Sequence, residues 1–391
     1  MTRIRLLAAL AAVAMLSACA GVLPPSQAAP PLQLFEDGAF EAPSQPIDVS
    51  RVFALSPAMK HYVEVDIAGH LRTMGRQRGL VEALHSKAQL RLDFDTEVTR
   101  NAAEAFDARS GNCLSLVVMT AAFAKYLDLP VTYQALVGHE SWSRSGDLSL
   151  INGHVNIAID KRLVDRIVGR ETDGQLRLDF GALPAGRGAL LRHVSEATIL
   201  AMFMSNRAAE SIVQGSLADA YGYIREAIRQ DPTYLSAYNT LAVVYQRRGM
   251  ATQAERAYRY ALQREAGYQP ALLNLARLLD GQGRSAEAAV YYQLLSKLEA
   301  EPPFHYFDLG RAAAQAGDFQ MARQYILREM RRDPDYHEFH FWLAVALYGL
   351  GDARQAREHL TIAMKNSTTR REQAIYASKL QRLTPTAVRN Q

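Results

Sequence analysis

The second half of the chain repeats one pattern of small, apolar and polar positions every 34 residues. Position 8 is alanine or glycine, position 15 is glycine and position 20 is alanine in five windows that begin at Ala201, Leu235, Gln269, Pro303 and His337. Small side chains at positions 8 and 20 allow two helices to cross closely, and a glycine permits the positive φ that ends a first helix. The spacing therefore predicts a helical hairpin in each window.

Large apolar residues lie between the small ones, and Asp231-Pro232 and Asp333-Pro334 mark the ends of two windows. The pattern resembles the tetratricopeptide repeat from Ala201 to about Arg370. This resemblance implies an all-α solenoid, a right-handed superhelix whose concave groove binds a peptide or protein ligand. The sequence departs from the repeat pattern at a few positions: Ala266, Ala300, Leu295 and Glu329.

We place this repeat array at residues 193–370 and a capping helix with a short tail at residues 371–391. Tyrosines and arginines are frequent in the array, which suits a surface that recognises another protein. The alternative is that most of these tyrosines pack inside and between the repeats. The pattern does not indicate which residues contact a ligand.

The hydrophobic pattern differs between about Asp48 and Arg192, where helix-like and strand-like segments alternate. A buried helix begins near Cys113, is capped by Ser110 or Asn112, and ends at Leu129-Pro130. Two helices are predicted before it and three strands after it, at Tyr62–Lys87, Glu97–Phe106, "VTYQALVG", Gly153–Asp160 and Gly174–Phe180. We therefore predict an α+β domain over residues 48–192.

The first residues combine Arg3 and Arg5 with a short apolar core and the sequence Leu16-Ser17-Ala18-Cys19. This stretch resembles a bacterial lipoprotein signal peptide. The resemblance implies removal of residues 1–18 and lipid attachment at Cys19, and the Ala20 that follows favours the periplasmic side of the outer membrane. The alternative is a plain secretory signal. Residues 19–47 are rich in Pro, Ala, Ser and Gln and predict a flexible tether.

The composition is that of an ordinary globular protein, and it limits the candidate functions. The net charge is +4 without a long Lys/Arg run, so nucleic-acid binding is not expected. Neither a metal-ligand spacing nor a glycine-rich phosphate loop is present in the sequence, and we expect no cofactor. With Cys19 lipid-modified, Cys113 has no partner for an intramolecular disulfide, which favours a chemical role for its thiol.

The order of a cysteine at a helix start, a strand, a strand with a histidine and a strand with an aspartate resembles the transglutaminase-like superfamily, whose core is shared with papain-type peptidases. The motifs are "GNCLSL", "LDLPVTYQ", "NGHVNIAI" and "LRLDF". The resemblance implies Cys113 as nucleophile, His154 as general base and Asp179 as the residue that orients it. A helix N-terminus also stabilises a thiolate and offers the Cys113 N–H to an oxyanion.

Alternation along the strands places His154 and Asn156 on one face, and Asp179 on a polar face of the next strand. Several alternatives remain at this stage. Cys113 could instead be a small residue of the hydrophobic core. His139 is an alternative to His154 as the general base, and Asp160 is an alternative to Asp179 as the residue that orients the base. Gln134 is either an oxyanion donor or a solvated strand-end residue, and Asn156 either supports the histidine or lies on the surface.

Together these patterns predict a lipid-anchored periplasmic enzyme that transfers an acyl group through a thioester on Cys113, with a repeat array that positions a protein partner. Hydrolysis of an amide is favoured over transamidation. The alternative from another class is an inactive adaptor that uses the repeats to assemble a protein complex.

Overall fold

The fold is taken from a computed structural model, which describes residues 31–85, 90, 92–95, 98–137, 141–145, 148–152, 154–161, 174–180, 190–298, 304–367 and 370–383. The predicted signal peptide, Cys19 and the rival base His139 lie outside these ranges. Within them, each helix is too short or too polar to cross a lipid bilayer.

The first helical region is divided where one long helix was predicted. Its elements are helix α1 (Pro57–His61), a π-helical turn (Tyr62–Asp66), α2 (Ala68–Met74) and α3 (Arg76–His85). Gly75 has a φ of +80° and separates α2 from α3, because it adopts a conformation that side-chain-bearing residues resist. The predicted helix Tyr62–Lys87 is therefore wrong as a single element.

The next helix, α4 (Ala102–Ala108), begins later than the predicted Glu97. Asn101 fixes its start, because the Asn101 side chain accepts from the Glu104 N–H and the Glu104 carboxylate accepts from the Asn101 N–H. Two short parallel strands flank it, β1 (Asp93–Phe94) and β2 (Ser110–Gly111). The predicted buried helix follows as α5 (Cys113–Tyr126).

Helix α5 packs against a four-stranded antiparallel sheet of order β7-β6-β3-β8. The strands are β3 (Val131–Val137), β6 (Val155–Ile159), β7 (Leu176–Leu178) and β8 (Leu190–Val194). A separate hairpin joins β4 (Ser141–Ser145) to β5 (Leu148–Asn152). The three predicted strands correspond to β3, β6 and β7, whereas β8 was not predicted.

In the described part of the remaining chain, five pairs of helices and one further helix follow in the predicted windows. They are α6 (Glu196–Val213), α7 (Leu217–Gln230), α8 (Leu235–Arg247), α9 (Ala251–Arg264), α10 (Gln269–Gly281), α11 (Ser285–Leu298), α12 (His305–Gln315), α13 (Phe319–Glu329), α14 (His337–Gly349), α15 (Ala353–Asn366) and α16 (Arg370–Leu383). The glycine at position 15 has a positive φ, between 74° and 86°, in all five windows. Each therefore ends the first helix of its hairpin as the pattern predicts.

The α+β domain and the first repeat share a hydrophobic core and several polar contacts. The Thr99 N–H donates to Glu210 Oε1 of α6 over 2.7 Å, and Tyr133 Oη of β3 donates to Glu196 Oε2 over 3.0 Å. Lys125 of α5 also pairs with Glu196. These contacts place the N-terminus of the solenoid directly beside α5 and β3.

The segment before the α+β domain differs from the expected flexible tether wherever the structure describes it, from residue 31 to residue 47. Leu34 is 6% exposed, and its carbonyl accepts from Tyr245 Oη of α8 over 2.7 Å. Two short 3₁₀ turns form at Leu32–Leu34 and Asp37–Ala39. A composition rich in Pro, Ala, Ser and Gln suggested that nothing here is buried, but tyrosines of the repeats supply the packing surface.

A buried and a half-buried histidine of the last hairpin, His337 and His359, predict a loss of stability in mild acid. Burial lowers the pKa of His359, as does the neighbouring His340, whose Nδ1 lies 2.9 Å from His359 Nδ1, while Glu358 opposes the shift. Burial also lowers the pKa of His337, against an opposing effect of Glu372.

A histidine with a lowered pKa in the fold stabilises the native state above its unfolded pKa of about 6.5, and this contribution is lost as the pH falls. Protection of the α14 and α15 amides from hydrogen exchange should therefore fall between pH 7.5 and 5.5, by at most ~1.4 kcal/mol per pH unit for each histidine. The pH dependence should be smaller in His359→Gln. An unchanged dependence in that variant would contradict the assignment.

Candidate active site

Cys113 is the first residue of α5, and the preceding residues fix this position. The Asn112 side chain caps the helix by accepting from the Ser115 N–H over 2.8 Å, and it donates to Thr99 Oγ1 over 2.9 Å. An added Cβ on Gly111 would lie 2.7 Å from Ser115 Cβ, so a larger residue does not fit there without movement. The "GNC" motif thus turns the chain tightly into the helix. Asn112, not Ser110, is the cap.

The sulfur of Cys113 is partly buried where α5 meets the start of β6. Burial raises the pKa of the Cys113 thiol, hydrogen bonds from the backbone N–H groups of Val155 and Leu114 oppose this rise, and the Asp179 carboxylate adds to it. The resting sulfur is therefore a thiol. This differs from the expectation that the helix N-terminus stabilises the thiolate of Cys113.

His154 and Asp179 form a direct contact, with Nε2 of the imidazole 2.6 Å from Oδ1 of the carboxylate. Strands β6 and β7 pair with Ile157 opposite Leu178, which brings Asp179 level with Asn156. The side chains of His154 and Asp179 are 16% and 22% exposed. If Nε2–H donates to the carboxylate, Nδ1 keeps its lone pair, so this tautomer leaves a free base.

Asn156 lies within the same cluster. With its amide nitrogen turned toward the carboxylate, Asn156 donates to Asp179 Oδ1 over 3.0 Å and to the Val155 carbonyl over 3.1 Å, and the same nitrogen lies 2.9 Å from His154 Nε2. The residue is buried, so its placement on an exposed surface is wrong. Asn156 holds the carboxylate that in turn holds the imidazole.

Gln134 lies opposite Asn156 on one side and opposite His193 on the other, because β3 pairs with both β6 and β8. It is 5% exposed, so its interpretation as a solvated strand-end residue is wrong. Among the described residues, Gln134 Oε1 and Asp179 Oδ2 are buried oxygens that accept no hydrogen bond. His193 was not singled out from the sequence, because its proximity depends on the unpredicted strand β8.

Asp160, the rival third member, lies just past the end of β6. Its carboxylate accepts from the Lys161 N–H over 2.7 Å, and its own N–H donates to the Pro130 carbonyl over 2.9 Å. The structure places Asp179 rather than Asp160 against the imidazole. Within the described ranges, no cluster of three His, Cys, Asp or Glu side chains is arranged to hold a metal ion.

These features define an α+β domain in which a helix that begins with a cysteine packs against the strand that follows a paired histidine and aspartate, joined to a solenoid of tetratricopeptide repeats. Family models described as tetratricopeptide repeat match residues 307–368 and 269–290, which confirms the predicted repeats in the C-terminal region. No curated protein matches the chain.

Among solved structures, the chain is similar to YrrB, a TPR protein with an unusual peptide-binding site, at 20% identity over 46% of this chain and 92% of that one, with a TM-score of 0.25. It is similar to pilF of Pseudomonas aeruginosa at 22% identity over 48% and 93%, with a TM-score of 0.30. A thermophilic TPR protein of Thermus thermophilus matches at 16% identity over 46% and 99%, with a TM-score of 0.32. These likenesses concern the repeat fold only.

Proposed function

We propose that this protein is a transglutaminase-like cysteine enzyme that transfers the acyl group of an amide to Cys113 and then to water. The observation that carries the proposal is the 2.6 Å contact between His154 Nε2 and Asp179 Oδ1, beside a helix that begins with Cys113. The chain supplies a nucleophile, a base with a free nitrogen and a carboxylate that fixes the tautomer, which are the parts that cysteine acyl transfer requires.

In the proposed reaction, Nδ1 of His154 takes the proton of the Cys113 thiol as the sulfur attacks the carbonyl carbon of the amide. The backbone N–H of Cys113 stabilises the oxyanion. The C–N bond then breaks, and the imidazolium returns its proton to the leaving amine. Water next attacks the thioester with His154 as base, which releases a carboxylic acid and restores the thiol. The Asp179 charge stabilises the imidazolium in both steps.

The raised pKa of the Cys113 thiol is compatible with this sequence of steps. A resting thiol requires proton transfer to His154 at the moment of attack, rather than a thiolate that exists beforehand. The same Asp179 charge that disfavours the thiolate favours the imidazolium that the transfer creates.

The test is the rate at which iodoacetamide labels Cys113 in the full chain, followed by intact mass. We expect His154→Ala to slow labelling at least about tenfold, because the variant lacks the base that takes the thiol proton as the sulfur attacks the reagent. The exposed His61→Ala, on α1, serves as the matched control and should label like the wild type. Equal rates for the wild type and His154→Ala would overturn the proposed base.

The adaptor hypothesis is the second candidate, and the raised pKa of Cys113 is the observation that favours it. Tetratricopeptide repeats are typical protein-binding modules, and the repeats of this chain suit a partner whether or not the α+β domain reacts. An adaptor would retain partner binding in Cys113→Ala and would show no acyl transfer in the wild type.

The location of the protein is also part of the proposal. We infer a lipoprotein anchored through Cys19 to the bacterial outer membrane and facing the periplasm, on the basis of Arg3, Arg5 and the Leu16-Ser17-Ala18-Cys19 sequence. A diacylated and N-acylated cysteine carries enough hydrocarbon for firm anchoring.

A further inference from the structure

Residues 31–47, called the strap hereafter, run across the surface formed by α7, α9 and the C-terminal end of α8. Two tyrosines of this surface bind the strap backbone. Tyr245 Oη donates to the Leu34 carbonyl over 2.7 Å, and Tyr221 Oη accepts from the Glu36 N–H over 2.9 Å. Contacts to the main chain fix the path of the strap without depending on its side chains.

Side chains of the strap are recognised in addition. The Phe40 ring stacks on Tyr221 with centroids 4.1 Å apart and an interplanar angle of 2°. The guanidinium of Arg248 lies 5.8 Å from the Phe40 centroid. Tyr221 Oη also donates to Asp37 Oδ1 over 2.7 Å. An aromatic residue and an acidic residue three positions before it are thus both held by Tyr221.

The surface is electropositive where the strap is acidic. Arg256 of α9 pairs with Glu36 at 2.5 Å, and Arg225 of α7 pairs with Asp37 at 2.8 Å. These pairs are partly exposed, so water screens them and each adds little to the strength of binding. They therefore set the selectivity for an acidic segment more than the strength of its binding.

Gly222 shows that the surface is shaped for the strap. It lies in the middle of α7, where glycine is less favourable than alanine. A Cβ at this position would lie 2.5 Å from Pro43 Cγ and 3.0 Å from Ile47 Cδ1. The same position carries a side chain in every other repeat window: Arg256, Val290, Gln324 and Glu358. Among the five windows, the glycine occurs only in the first, where Pro43 and Ile47 of the strap lie against it.

We propose that this surface is a peptide-recognition site for an acidic segment with a nearby aromatic residue, and that the strap is its resident ligand in cis. A partner protein bearing the same chemistry, two adjacent acidic residues followed by an aromatic residue, competes with the strap. A covalently attached ligand acts at an effective concentration of the order of mM. The wild-type chain therefore binds the partner only weakly until the strap is displaced.

The experiment uses the full chain and a fluorescent peptide of residues 31–47, with binding measured by anisotropy. Glu36→Lys combined with Asp37→Lys weakens the strap, because both new cations face arginines. We expect this variant to bind the wild-type peptide at least about tenfold more tightly than the wild-type chain does. Glu41→Lys is the matched control, since Glu41 belongs to the strap but is exposed, and it should behave like the wild type.

A charge exchange distinguishes recognition from unfolding. Arg225→Glu with Arg256→Glu, in a chain that keeps Glu36 and Asp37, places acidic residues of the strap against acidic residues of the surface. The strap is again weakened, and the wild-type peptide should not bind. A peptide with lysine at both acidic positions should bind this chain instead. Failure of the strap-weakened chain to bind the wild-type peptide, or equal binding of both peptides by the charge-exchanged chain, would overturn the proposal.

Discussion

Replacing Glu329 with alanine is expected to destabilise the second half of the solenoid by about 3 kcal/mol. Glu329 is 2% exposed, and its carboxylate caps the N-terminus of α12 from the neighbouring helix α13. It accepts from the Phe304 N–H over 3.0 Å and from the N–H groups of Tyr306 and Phe307 over 2.9 and 3.3 Å. Alanine would leave these buried donors without an acceptor, and such donors are costly.

Hydrogen exchange of the α12 amides in the full chain measures this loss locally. Glu358→Ala is the matched control, because Glu358 is exposed on α15 and pairs with the equally exposed Arg354 at 3.2 Å. Its removal should change protection by less than about 0.5 kcal/mol. Glu329→Gln keeps an acceptor oxygen, so its protection of the α12 amides should lie between those of Glu329→Ala and Glu358→Ala. Equal protection in Glu329→Ala and Glu358→Ala would show that the cap contributes nothing.

The sequence predicts the solenoid well because its information is local and repeated. A small residue, a glycine and an alanine at fixed positions specify each hairpin, and five copies fix the register. Glu329 shows what the pattern omits. It replaces the small residue usual at position 27, and the repeat pattern contains no reason for a buried carboxylate there. The reason lies in α12, whose N-terminus follows residues 299–303, outside the described ranges, and needs an acceptor.

The strap illustrates why contacts distant in sequence escape prediction. Phe40 and Tyr221 are 181 residues apart and form one stacked pair. A stretch rich in proline, alanine and serine indicates a linker by composition, since it lacks a hydrophobic face of its own. Only the partner surface shows that it is bound. Gly222 was the available sequence signal, because a glycine inside an amphipathic helix often marks a close approach.

For the candidate site, the order of motifs was sufficient to place Cys113 at a helix start and to bring His154 beside Asp179. The sequence predicts a lowered pKa for Cys113, whereas in the structure this pKa is raised, because the effect of burial exceeds that of the helix N-terminus. A helix N-terminus contributes about 0.3–1 kcal/mol near the surface, whereas burial shifts a pKa by up to several units. The burial of this sulfur depends on the packing of α5 against β6, which the sequence pattern does not quantify.

Removing Asp179 is expected to slow acyl transfer to Cys113 by about 10²–10⁴-fold, if the proposed reaction is correct. The probe is p-nitrophenyl acetate, which transfers its acetyl group to the sulfur and releases nitrophenolate. Asp179→Ala removes the acceptor of the 2.6 Å contact, so His154 loses its fixed tautomer and the charge that stabilises its imidazolium. Asp179→Asn retains an acceptor oxygen and should recover part of the rate.

This experiment distinguishes the orientation of His154 by Asp179 from the effect of Asp179 on the ionisation of the Cys113 thiol, because Asp179→Ala changes the two measured rates in opposite directions. The Asp179 carboxylate raises the pKa of Cys113, so Asp179→Ala lowers that pKa and increases the thiolate fraction near neutral pH. Alkylation limited by thiolate alone would therefore accelerate, whereas acyl transfer that requires an oriented imidazole slows. Asp160→Asn, at the other end of β6, should change acyl transfer less than about twofold. If Asp160→Asn slows acyl transfer as much as Asp179→Ala does, Asp179 is not the residue that orients His154.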